Sequence, residues 1–130
     1  MARAPLIAGA LAAGLLAAGC GGPTRYSLER TRACLKEDGA RTGKPLNDFV
    51  ASTATAGAFR AYLGAPDDNA VTISFGESSD DAQQTADGYI RFHAKNVGIY
   101  DILELERNAV LLWKQHPSNA ERSRVTGCLK

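Results

Sequence analysis

Uncharged apolar residues run without a break from Leu6 to Ala18, and after Pro23 that continuous pattern gives way to shorter, periodic ones. Leu28, Thr31, Cys34 and Leu35 recur at the helical repeat, with Arg30, Arg32, Lys36 and Glu37 elsewhere around the axis. Ser27 offers a capping oxygen and Gly39 a stop, so the spacing predicts a helix from Ser27 to about Asp38. From Gly43 to Gly57 little periodicity survives among Ser, Thr, Ala, Asn and Pro, which reads as a long loop or a short extra element. Phe59, Ala61 and Leu63 then alternate with Arg60 and Tyr62. Beyond the turn-rich Gly64 to Asn69, Val71, Ile73 and Phe75 alternate with Thr72 and Ser74, the pattern of two antiparallel strands.

Ser78 to Asp81 brings capping oxygens and negative charge to the start of a second helix reaching about Ala94. Its Ala82, Ala86, Tyr89, Ile90 and His93 form one stripe. Leu103 and Leu105 alternate with Glu104 and Glu106, Arg107-Asn108 makes a tight connection, and the unbroken apolar run Ala109 to Trp113 predicts a central strand. Ser118-Asn-Ala-Glu121 is a capping-box sequence opening a last helix, with Val125, Cys128 and Leu129 on its buried face. Helix, strand pair, helix, strand pair, helix is the order of an α+β domain. The expected architecture is a small antiparallel sheet of about four strands with helices packed mainly on one face, a two-layer sandwich.

The chain has 130 residues, 45% hydrophobic and 22% charged, which leaves room for one domain over residues 27–130 and none for a second core. Net charge is +1 and falls to zero without Arg3, so bulk electrostatics argues against a dedicated nucleic-acid partner. The sequence contains no internal repeat or low-complexity tract.

The leading segment has its own chemistry. Arg3 gives a positive start, and Leu6 to Ala18 has the dimensions of a signal-peptide core, shorter than the roughly 20 apolar residues needed to span a bilayer. Leu15-Leu16-Ala17-Ala18-Gly19-Cys20-Gly21-Gly22 resembles the lipobox of bacterial lipoproteins. The resemblance implies that residues 1–19 are a signal peptide and that Cys20, the new N-terminus, carries a diacylglyceryl thioether and an acylated amine of palmitate type. Residues 20–26 would then form a lipidated end and short tether, and the domain would sit at the extracytoplasmic face of the cell membrane. Each buried methylene contributes about 0.8 kcal/mol, so two or more chains on one residue anchor durably. Ala17 and Gly19 also fit a small-x-small cleavage rule, and simple secretion is the alternative.

Three cysteines are an odd number for an exported protein, and lipidation would occupy Cys20. Cys34 and Cys128 remain, both at inward positions of predicted helices, and a disulfide between them is expected in a compartment where such bonds persist. It would close a loop of about 95 residues, for which chain entropy gives roughly 4 to 5 kcal/mol. The alternative is two buried thiols.

Catalytic and cofactor patterns are sparse. His93 and His116 have no second ligand at the close spacings of a zinc site, and His93 reads as a histidine at the rim of the core. No Gly-x-Ser-x-Gly elbow, Cys-x-x-Cys pair, phosphate loop or dinucleotide fingerprint occurs, and no metal or cofactor is indicated. Asp67, Asp68, Glu77, Asp80, Asp81 and Asp87 lie in a stretch without Lys or Arg, while Arg25 to Lys44 leans basic. The acidic residues lack the spacing of a calcium loop and read as solvated turn and cap carboxylates. The basic stretch would lie beside anionic lipid headgroups.

The resulting expectation is a non-catalytic binding or interaction module whose partners are the membrane, through Cys20, and an unspecified protein or small molecule. An accessory subunit of an envelope complex is the first alternative and would expose an apolar patch of several hundred Å². A small extracytoplasmic hydrolase is the second, and would need a cleft gathering Asp or Glu with His93 or Tyr89.

Overall fold

The computed structural model describes residues 25–130, so the expected signal peptide, the lipobox-like sequence and Cys20 lie outside the described residues. In order, the elements are α1 (Leu28–Glu37), β1 (Arg41–Gly43), α2 (Phe49–Ser52), β2 (Ala58–Tyr62) and β3 (Ala70–Phe75), then α3 (Ser79–Phe92), α4 (Ile99–Ile102), β4 (Leu103–Glu106), β5 (Ala109–Trp113) and α5 (Asn119–Gly127). The strands form one antiparallel sheet in the order β1-β2-β3-β5-β4. The α+β class and the antiparallel sheet match the reading of the sequence.

Local chemistry explains the boundaries. The Ser27, Ser78 and Ser118 side chains accept from the backbone N–H groups of Arg30, Asp81 and Glu121, and around Ser118 the capping box is complete. After α1 the chain turns through Gly39 at φ +94°. The amide of Ala40 reaches back to the Leu35 carbonyl at 2.9 Å, closing the helix in the manner that a left-handed glycine permits.

Two features differ from expectation. The sheet has five strands rather than about four, because the segment after Gly39 adds β1 at its edge. The helices, moreover, divide between both faces rather than gathering mainly on one. On the first face Phe59, Ala61, Val71, Ile73, Phe75, Leu111 and Trp113 meet Leu35 of α1 and Val125 of α5. On the opposite face Val110, Leu103 and Leu112 meet Ala82, Ala86 and Tyr89 of α3, Val50 of α2 and Ile99 of α4. The physical cause is visible in β3, where every residue is buried. Thr72 and Ser74 alternate with apolar neighbours as solvent-facing residues would, but they are small enough to lie beneath helices, and each is only 1% exposed.

The first face is fastened at its margin. Cys34 of α1 and Cys128, the residue that caps the end of α5, form the expected disulfide, with Cα atoms 5.4 Å apart. Arg122 of α5 pairs with Glu104 of β4 at 2.5 Å, and Arg124 reaches both the Asp38 carboxylate and the Leu63 carbonyl. At the β4–β5 turn Arg107 adopts φ 53°. The buried Asn108 side chain accepts from the Tyr26 amide at 2.6 Å and donates to the carbonyls of Tyr26 and Gly76 at 3.0 and 2.9 Å. The chain thus enters the fold where β3 ends and β5 begins.

Candidate functional site

A cleft of about 480 Å³ opens on the second face, where the approach to α2 meets the C-terminal half of α3. Its construction begins at Asn47, whose φ of 55° is a left-handed conformation that asparagine tolerates better than most residues. That turn places Asp48 as N-cap of α2, with Oδ1 accepting from the Ala51 amide at 2.8 Å. The other oxygen, Oδ2, accepts from the Tyr89 hydroxyl at 2.7 Å, across 41 residues of sequence. Tyr89 stands on the inward stripe of α3 and is 6% exposed.

Burial is the main reason that Tyr89 holds its proton well above the usual tyrosine range, and the hydrogen bond to Asp48 and the negative charge of that carboxylate add to the effect. The phenol therefore remains a donor to Asp48 at every ordinary pH. His93 follows at the C-cap of α3, its Nδ1 lying 2.6 Å from the Ile90 carbonyl. That contact places a proton on Nδ1.

The rest of the cleft is apolar. Val50, Ile99, Ile102 and Leu112 contribute to its lining, while Phe49 and Phe92 stand at the rim with their rings edge to face, 6.2 Å apart. Both rings are largely in solvent, 71% and 64% exposed, and Leu46 and Val97 extend the same surface. Contiguous exposed apolar groups around a concavity with a few placed polar atoms are the usual make-up of a ligand site.

Several predicted candidates fall into place. Tyr89 and His93 share the cleft with a carboxylate, the combination that a hydrolase would need. The phenol donates to Asp48, while His93 is turned to a backbone carbonyl by one nitrogen. His116 lies outside this lining, its Nδ1 3.0 Å from the Asp101 carbonyl. The acidic residues do not converge. Asp67 and Asp68 precede β3 and Glu77, Asp80 and Asp81 follow it. Asp68, Asp81 and Asp87 accept from Ala65, Thr55 and Gln83 respectively.

Among the described residues no group of three or more His, Cys, Asp or Glu is arranged to hold a metal, and no helix is long and apolar enough to cross a membrane. Asp48 is one of the site residues that the sequence pattern did not single out, together with Phe49 and Phe92. Its signal was available as an aspartate directly before Phe49-Val50-Ala51, but a helix of four residues is too short to show a period. Comparison with known proteins gave no match: no family model fits the chain, and no curated protein or solved structure is significantly similar to it.

Proposed function

We propose that this is an exported cell-envelope lipoprotein whose domain is a non-catalytic binding module, with the cleft between α2 and α3 as its binding site. The observation that carries the binding reading is the pair of exposed rings, Phe49 and Phe92, over a concavity whose few polar groups converge from separate elements. The lipobox resemblance around Cys20 supports the attachment. A tether ending at Tyr26 would meet the domain beside Asn108, before β5, whereas Leu112 of the cleft lies near the far end of that strand. A domain hung in this way would turn the cleft from the membrane toward what diffuses past it.

The intact mass of the protein purified from host membranes tests the attachment. Loss of residues 1–19 with addition of acyl chains is expected, and an unacylated cleaved mass would make the protein a soluble secreted one. A ligand-observed NMR screen of small organic molecules tests the module, with hits expected to be lost on Phe92→Ala. The same exposed rim favours one second reading, an accessory subunit whose partner protein covers Leu46, Phe49, Phe92 and Val97. A photo-crosslinker at position 92 that captured one partner protein in native membranes, with no small-molecule hits, would favour it.

A further inference from the structure

The lining of the cleft is asymmetric in charge. Asp48 supplies a carboxylate, and no lysine or arginine is among the described residues that line the cavity. Asp48 also belongs to neither of the two ion pairs among the described residues, which join Arg122 to Glu104 and Arg124 to Asp38. Its two hydrogen bonds, from Ala51 and Tyr89, come from neutral donors. Lys95 stays out of the lining, and Lys44 lines with Asp48 an adjoining cavity rather than this one. Arg60, on the same face of the sheet, donates to the Thr72 hydroxyl at 3.0 Å and stands over the Tyr62 ring.

The rim presents the two phenylalanine rings, whose faces attract positive charge. A carboxylate and aromatic rings around an apolar cavity are complementary to one kind of occupant. Resting on the reading of this cleft as a binding site, we infer that its ligand is a small organic cation with an apolar body, an amine or alkylammonium. Its charged head would lie against Asp48 and its hydrocarbon part against Phe49, Phe92 and Ile99. An anion would meet a carboxylate that is in no ion pair among the described residues, and a neutral apolar molecule would leave that carboxylate without an ionic partner.

Calorimetric titration of the full chain with hexylammonium, hexanol and hexanoate separates these cases. Hexylammonium is expected to bind at least about tenfold more tightly than hexanol, the discrimination that one charge-assisted contact provides, and hexanoate to bind weakest. Asp48→Asn removes the charge and keeps an N-cap oxygen for the Ala51 amide, while its NH2 replaces Oδ2 and donates to the Tyr89 hydroxyl, which turns to accept. It is expected to abolish the preference for hexylammonium over hexanol without lowering the melting temperature by more than a few degrees. Equal binding of hexylammonium and hexanol, tighter binding of hexanoate, or an unchanged preference in Asp48→Asn would overturn the cation inference and leave the cleft a binding site of another class. Absence of binding by all three probes would overturn the binding-site reading itself and the inference with it.

Discussion

Asn108 shows how one side chain can decide where a chain enters its fold. It is 1% exposed and holds three backbone groups, two on Tyr26 and one on Gly76, while its own carbonyl accepts from the Gly76 amide at 2.7 Å. Asn108→Ala would orphan those groups in a site where water has little access, and it is expected to lower stability by about 3 kcal/mol, read as a shift of the urea midpoint. Tyr89 gives a second test, in alkali. The unfolded chain releases the phenolic proton near pH 10, while burial and Asp48 keep it on the folded chain. Above that pH the folded state binds more protons than the unfolded, so the stability from this group is present below about pH 10 and lost as pH rises. Urea midpoints are therefore expected to fall more steeply between about pH 9.5 and 11.5 in the wild type than in Tyr89→Phe; parallel slopes would show that Tyr89 is not the group responsible.

Elements differ in how plainly their sequences announce them. Helices α1, α3 and α5 carry both a serine cap and enough turns for a stripe to repeat, and the observed caps are the serines that the pattern indicates. The hairpin turn at Arg107-Asn108 and the apolar run of β5 were equally legible. Short elements were not. The three residues of β1 and the four of α2 span too little chain for any period, and α2 is fixed instead by Asp48 and by packing of Val50 against α3. The second covered face escaped for a different reason, since the alternation in β3 reports polarity and says nothing of whether a small hydroxyl lies under a helix or under water. Because Asp48 belongs to that short segment and its Tyr89 contact is long-range, half of the cleft's chemistry was invisible in the sequence. At this scale Ser118→Ala tests the clearest cap. Loss of the capping box is expected to cost about 1 kcal/mol, seen as a melting temperature lower by several degrees.

For the molecule as a whole, the disulfide and the two-sided core act on different states of the chain. The core stabilises the folded form, whereas the bond between Cys34 and Cys128, 94 residues apart, chiefly restricts the unfolded one. Replacing both cysteines by serine is expected to lower stability by up to about 4 to 5 kcal/mol, measured by urea unfolding alongside the oxidised parent. The reduced parent should behave like the double variant. A mutant that matched the oxidised parent would mean that the unfolded chain is already compact without the bond.

The position of that bond also governs what happens when the chain is cut. Exposed segments such as Gly64 to Asp68 and Ala94 to Gly98 offer proteases accessible backbone. Any single cleavage between Cys34 and Cys128 yields two pieces that are still one covalent molecule. The N-terminal piece keeps α1 and the C-terminal piece keeps α5, side by side on the same face of the sheet. Fragments would separate on a gel only after reduction, and until then the nicked protein would retain the means to reassemble. Damage to a loop would not by itself mean loss of the domain.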